Sequence, residues 1–336
     1  MKRALQMLSC VALVLGAATA AQAQSTVWPS KPLTLVVPFP PGGTSDVMGR
    51  MVAKELEKAL GQPVQVENLP GGGGIVGTQK ALERPADGYT LIQTGIGQSA
   101  VAHALNPALS YDSTRDFMHL TQVHEGANVM VVKPDGPYQN VKALVDASKS
   151  GSGVTYGYTP AASGHMAMEL LVQMLNVCIR GDKGERLCKG GQFKGTSFSG
   201  GKPLIEAVAK GDVAASFINV DAAMPYIKDG RLKAIAISSG ARSKLLPDVP
   251  TMSEAGYFGF NAVSWSGLSV AKGTPAPAAA RLEKELIKIM NSPAVRQRME
   301  ADGFTVPTLG SAAYASYIAK ETTLWTRVVR FAGIKM

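Results

Sequence analysis

No stretch of this sequence is long and apolar enough to cross a membrane, which takes about 20 consecutive apolar residues. The longest apolar run, VALVLGAATAA, is shorter and follows the basic Lys2 and Arg3. With Ala21-Gln22-Ala23 at its end, the pattern is that of a secretory signal peptide cleaved after Ala23. A buried N-terminal helix is the plainer alternative. Cys10 sits inside the apolar run, and Met7-Leu8-Ser9 matches a lipid-attachment sequence poorly. The expected product is an exported, soluble chain, and the remaining length suggests two domains.

Cysteine is scarce. Cys178 and Cys188 alone survive that cleavage, separated by the polar IRGDKGERL. In an oxidising compartment a disulfide is the expected state, stabilising by about 3 kcal/mol on the chain-entropy model. A metal site is the weaker alternative, because no histidine lies nearby. His103, His119, His124 and His165 show no metal-ligand spacing. No G-x-S-x-G elbow is present. Basic clustering is also missing. The formal charge is +9, from 34 Lys and Arg against 25 Asp and Glu, and losing Lys2 and Arg3 lowers it to +7. These charges are scattered, which argues against a nucleic-acid groove. No catalytic group, metal, cofactor or nucleic acid is therefore expected.

Glycine and proline, by contrast, are concentrated in a few loops. VVPFPPGGTSD joins an apolar strand, LTLVV, to a helical pattern from Val47 to Leu60. Phe39, Gly42, Gly43, Thr44, Ser45 and Asp46 lie in this loop. Two glycines permit close backbone approach, and Thr44, Ser45 and Asp46 are helix-capping types. Bare N–H groups at the positive end of a helix make an anion site. The same residues also serve a plain strand-to-helix turn capped by Thr44 or Ser45. Asp46 repels an anion, so capping or orienting the loop suits it better.

Two other glycine motifs fail as nucleotide sites. Gly72-x-Gly74-x-x-Gly77 follows a strand, but the next strand ends in Gln93-Thr94 where a ribose-binding acid is needed. A backbone-lined ligand loop fits it better. Gly195 to Gly201 has five intervening residues, and Pro203 stands where a magnesium-binding hydroxyl belongs. Ser163-Gly164-His165, after Thr159-Pro160, reads either as a ligand contact or as an ordinary helix cap.

Strand and helix patterns alternate along the chain, which predicts βαβ units and mostly parallel sheets. Strands are expected at 63–67, 89–94, 129–132, 154–156, 214–218, 232–237 and 264–270. Helices are expected at 74–82, 141–148, 161–175, 204–209, 221–228, 276–290, 293–302 and 311–332. The methionines at 166, 168 and 174 read as core filler.

Several long motifs occur in order: VVPFPPGGTSDV, GQPVQVENLPGGGG, ADGYTL, NPALSYD, KDGRLKAIAISSGARSKLLPDVPTMSEAG and AKGTPAP. Together they resemble the substrate-binding proteins of tripartite tricarboxylate transporters, the Bug family of exported receptors. The resemblance runs from Trp28 to Lys335. It implies a periplasmic, monomeric, α/β receptor of two lobes, type II-like, each with a mostly parallel sheet flanked by helices. Residues 24–126 with 262–336 would form one lobe, and 127–261 the other. The receptor would close on a small organic acid and hand it to membrane permease subunits. Carried over, the loop Phe39–Asp46 holds a carboxylate, and Asn68, Gly72, Thr94 and Gly95 border the same cleft. Thr159, Ala162, Ser163, Gly164, His165, Asn219 and Asp221 would face it from the second lobe. The stretch 176–203 looks lengthened relative to the family, implying an altered cleft rim or an external flap.

None of these loops contains Lys or Arg, so a carboxylate there depends on N–H groups, hydroxyls and water. A citrate-like trianion would find little compensating charge. Mono- or dicarboxylates, aromatic ones included, are the expected ligands. An exported enzyme acting on a carboxylate, or a sensor for a signalling partner, are the competing functions.

Overall fold

The computed structural model describes residues 28–150, 153–176, 178–180, 186–188 and 190–334, with the backbone alone for 178–180 and 186–188. The expected signal peptide lies outside the described residues. Along the chain run β1 (Leu33–Val37), β2 (Val64–Asn68), β3 (Thr90–Gly95), β4 (Phe117–Val132), β5 (Val154–Tyr158), β6 (Cys178–Arg180), β7 (Arg186–Cys188) and β8 (Phe193–Ser197). They are followed by β9 (Ala215–Asn219), β10 (Lys233–Ile237), β11 (Val263–Ala271) and β12 (Phe304–Thr305). One ten-stranded sheet has the order β2-β1-β3-β11-β4-β9-β5-β8, with β10 and β12 also paired to β4. The expected α/β architecture is present, with helices flanking the sheet.

The sheet is parallel at both ends. β1 pairs in parallel with β2 and β3, and β5 with β8 and β9. Its centre is antiparallel and rests on β4. Residues Phe117–Ala127 of β4 pair with β11, while Asn128–Val132 pair with β9 and Val129–Val132 with β10. The boundary expected near residue 126 thus falls inside one unbroken strand. Sequence patterning captured only the end of that strand. His119, Thr121, Gln122, His124 and Asn128 are all buried in it, and their polarity hides the strand signature that an apolar run gives.

Burial follows periodicity elsewhere. LTLVV has four of its five residues buried, as suits a parallel strand covered on both faces. The helix Thr44–Leu60 buries Met48, Val52, Ala53 and Leu56, one stripe at helical spacing. The helix Ser311–Ala332 does the same with Tyr314, Ile318, Trp325, Val328 and Val329. Each such side chain contributes about 1.5–3 kcal/mol by leaving water. This packing fixes the strand ends from which the loops emerge.

Candidate functional site

A cavity of about 860 Å³ opens at the C-terminal ends of β1, β3, β5 and β9. β1 and β5 run through a loop into a helix, β3 and β9 pass directly into one, and these connections form the wall. Where β1 ends, Pro38, Pro40 and Pro41 have no N–H to extend a ladder. Gly42 takes φ +83°, and the helix starts after Gly43. A Cβ added at Gly43 would meet only the Pro40 carbonyl, at 4.0 Å. The backbone is therefore open to a ligand there.

Four helix starts line the cavity: those of Thr44–Leu60, Ser163–Leu175, Gly201–Lys210 and Val220–Lys228. Their N-cap residues, Gly43, Ala162, Gly200 and Asn219, make no side-chain cap hydrogen bond. Helix N-termini carry roughly half a positive charge each. Four converging on one cavity favour an anion without requiring an ion-pair partner. The remaining wall is largely apolar, with Val47, Ile96, Leu204, Ile205, Phe217 and Trp265.

Of the residues singled out from sequence, Phe39, Gly42, Gly43, Thr44, Ser45, Thr94, Gly95, Thr159, Ala162, Ser163, Gly164, His165, Asn219 and Asp221 all line this cavity. Asp46, Asn68 and Gly72 are not part of its wall. Asp46 is buried and accepts from the Gly42 N–H at 2.9 Å, Arg50 Nε at 3.1 Å and Asn68 Nδ2 at 2.9 Å. Asn68 Nδ2 also donates to the Phe39 carbonyl at 3.0 Å. The pair therefore braces the β1 loop from behind. Burial raises the Asp46 pKa, but the hydrogen bonds from Arg50, Gly42 and Asn68 outweigh it and hold the carboxylate below its usual range. Gly72 belongs to the tight turn Gly72–Gly74. A Cβ on its neighbour Gly73 would come within 2.5 Å of the Ala161 Cβ, so only glycine lets these loops touch.

A polar chain crosses the cavity wall. Thr44 Oγ1 donates to Asp221 Oδ2 at 2.7 Å and accepts from Asn219 Nδ2 at 3.2 Å. Ser163 Oγ reaches Asn128 Oδ1 at 2.9 Å and Asn219 Oδ1 at 3.2 Å. Burial pushes the Asp221 carboxyl up to about 6, against the pull of the Thr44 hydroxyl and the Ala222 N–H. His165 is buried, stacks on Tyr158 at 4.0 Å, and accepts from the Ala161 N–H through Nδ1 at 3.2 Å.

Sequence reasoning missed part of the wall. Gln93, Gln98, Ser199, Gly200, Gly201, Lys202, Tyr226, Ser264, Trp265 and Ser266 also line it. Lys202 supplies a cation that the loops named from sequence lack. Its signal was present, since Ser199-Gly-Gly-Lys202 before a helix repeats the logic of the β1 loop. Gln98 had no such signal: it comes into place through a π-helical turn, Ile96–Val101, a feature enriched at functional sites. A second cavity, of about 670 Å³, lies between Gln79, Glu83, Arg115 and Lys272. Arg115 there is already paired with Asp116 at 2.8 Å, so the first cavity is the better anion site. Among the described residues no group of three His, Cys, Asp or Glu is placed to hold a metal ion.

Known proteins place the chain. The sequence profile of the tripartite tricarboxylate transporter family receptors matches residues 48–334. Protein BugT of Bordetella pertussis is 32% identical over 323 residues, covering 95% of each chain. A structure described as R. palustris protein with adipate superposes with a TM-score of 0.83 at 25% identity, covering 92% of this chain and 99% of that one. MatC from Rhodopseudomonas palustris with bound malate gives 0.80 at 28% identity, covering 90% and 100%. The chain belongs to the tripartite tricarboxylate transporter receptor family, whose members are periplasmic substrate-binding receptors and not enzymes.

Proposed function

We propose that the protein captures a small mono- or dicarboxylate, aliphatic or aromatic, in the 860 Å³ cavity and delivers it to permease subunits of a tripartite transporter. The observation that carries this reading is the convergence on a largely apolar space of four helix starts whose N-cap side chains make no capping hydrogen bond, the Asp221 carboxylate already holding the Ala222 N–H of the fourth. The carboxylate meets backbone N–H groups around Gly43–Ser45 and Ser163–His165, since the hydroxyl protons of Thr44 and Ser163 are already given to Asp221 and to Asn128 or Asn219. The adipate and malate held by the two similar structures support this ligand class. Residues 31–126 with 262–334 would act as one lobe and 127–261 as the other, hinged where β4 and β11 cross. The Thr44–Asp221 hydrogen bond would then latch the closed form. The chain acts as a monomer, exported and cleaved after Ala23.

A Cys178–Cys188 disulfide belongs to the same reading. β6 and β7 pair antiparallel with Cys178 opposite Cys188. Directly opposed residues have Cα atoms about 4.5–5.5 Å apart, inside the span a disulfide bridges. Free-thiol titration of unreduced, unfolded protein should find none, and two reactive thiols would refute the bond.

Thermal denaturation with a panel of carboxylates tests the receptor function. A ligand at a hundredfold excess over its Kd stabilises the folded state by about 2.7 kcal/mol. That corresponds to a rise in Tm of roughly 5 °C or more for a chain of this size. At least one acid should give such a shift and be recovered unchanged. Chemical conversion of the ligand would contradict a receptor.

A further inference from the structure

An anion site with a carboxylate in its own wall works against itself, and this cavity has one. Asp221 stands in the first turn of the helix Val220–Lys228, one of the four helix starts that favour an anion. The groups that hold its carboxylate are all neutral: the Thr44 hydroxyl and the N–H groups of Ala222 and of Asp221 itself. Among the described residues it makes no ion pair.

The surrounding charged and titratable groups do not neutralise it. Asp302 acts on it with the same sign and is paired with Arg298 at 2.8 Å. Behind the Phe39–Asp46 loop, Asp46 and Arg50 pair with each other at 2.9 Å. Glu125, on β4, accepts from the Tyr317 hydroxyl at 3.4 Å. His165, Lys202 and Tyr226 share the cavity wall with Asp221, and none of them is hydrogen-bonded to it.

The hydrogen bonds fix what a proton on Asp221 does. Asn219 Nδ2 donates to Thr44 Oγ1 at 3.2 Å, and Thr44 Oγ1 donates its one proton to Asp221 Oδ2 at 2.7 Å. With Asp221 ionised, Thr44 has no proton left for a ligand. A proton on Oδ2 reverses the last bond. The carboxyl O–H then donates to Thr44 Oγ1, which accepts from both neighbours and keeps its own proton free for the cavity it lines. The same proton removes the negative charge that stands one hydroxyl away from the Gly43–Ser45 loop.

We infer that capture is proton-linked: a carboxylate binding at Gly43–Ser45 draws a proton from solvent onto Asp221, and Thr44 then donates to the bound anion. This inference rests on the carboxylate-receptor reading above and deepens it. Two carboxylates brought close together do not both stay ionised. Burial already lifts the Asp221 pKa to about 6, and the bound anion lifts it further. Affinity therefore falls as pH rises above that value, where binding must take up the proton. Below it Asp221 holds the proton beforehand, and the dependence levels off. Release returns the anion and the proton together.

Calorimetry on the mature chain tests this with the tightest binder among acetate, propionate, benzoate, succinate, malate and adipate. Titrations at about pH 7.5, where these acids are ionised, are run in phosphate and in Tris. The two buffers differ in ionisation heat, so the pair of titrations counts the protons taken up, and about half a proton or more per ligand is expected. From about pH 6.5 to about pH 8.5 the affinity should fall about fivefold or more. Asp221→Asn carries an amide that donates to Thr44 as the protonated acid does. It should bind without proton uptake, with little change across the same range, and more tightly than the native protein at the alkaline end. Melting curves identify a variant that fails to fold, and the proton count on the native protein then decides. Binding to the native protein without proton uptake overturns the inference. So does a pH dependence that persists in Asp221→Asn, which places the proton on His165. Aspartate or alanine binding more tightly than succinate or propionate, with no proton uptake, gives Asp221 an ammonium partner and also overturns it. Each of these outcomes leaves the receptor intact, whereas failure of every acid to bind at any pH overturns the receptor reading itself.

Discussion

Replacing Asp221 by Asn should make the ligand-free protein more stable at neutral pH and leave it unchanged in acid. Asp221 sits in the first turn of the helix Val220–Lys228, and its Oδ2 accepts from Thr44 Oγ1 at 2.7 Å. Burial pushes its pKa to about 6, more than the Thr44 and backbone hydrogen bonds recover, and Asp302 adds repulsion. In the unfolded chain the value is about 3.9. The folded value is the higher one, so the folded state holds this proton more tightly. The resulting stability is fully present below about pH 4 and is lost as pH rises through about 6. The difference is worth at most ~3 kcal/mol, reduced by whatever solvent reaches the carboxyl. Asn keeps an oxygen for the Thr44 hydroxyl and carries no charge. Relative to the native protein, Asp221→Asn should therefore gain up to roughly 6 °C in Tm at neutral pH, at the lower end of the conversion for a chain of this size. The gain should vanish near pH 4. Melts of both proteins across this range read the difference directly. A gain that is the same at every pH, or absent at neutral pH, would refute the assignment of a buried, ionisable Asp221.

Two further substitutions follow from the cavity wall. Gly43→Val places a side chain where no atom other than the Pro40 carbonyl lies within 4 Å, at a φ of −88° that valine accepts. Its circular dichroism and Tm should stay close to native, with a loss below ~1 kcal/mol at the helix cap, while carboxylate affinity falls at least about tenfold; undiminished affinity removes this loop from the site. Lys202→Ala should weaken dicarboxylates more than monocarboxylates and flatten the salt dependence of binding; equal effects on both classes would detach Lys202 from the ligand.

Much of the fold was legible because its elements obey their periods. LTLVV, the helices 141–148, 276–290 and 311–332, and the strand around 264–270 were all read within a residue or so. β4 was read only from Val129 onward, because its first part carries buried histidines, a glutamine and a threonine whose partners lie across the sheet. His124, for example, contacts Ser266, which is far away in sequence. Local pattern cannot supply such partners. The site shows the same division. Its glycine-rich loops announce themselves, since bare backbone before a helix has few other uses. Gln93 and Gln98 look ordinary in sequence and acquire meaning only when the π-helical turn returns one amide onto the carbonyl of the other. Asp46 and Asn68 sit in the right motifs but behind the wall: the 3.6-residue period of the helix carries Asp46 round to the face away from Thr44, and Asn68 closes β2 beside it.

The central claim is that this cavity holds an anionic carboxylate by the N–H groups of helix N-termini. It is tested most directly by calorimetric titration with the best-binding acid and with its neutral amide, which matches it in shape. The account predicts that the acid binds at least about tenfold more tightly, because an amide nitrogen brings N–H groups against N–H groups and leaves both unpaired. Equal affinity for acid and amide would contradict it.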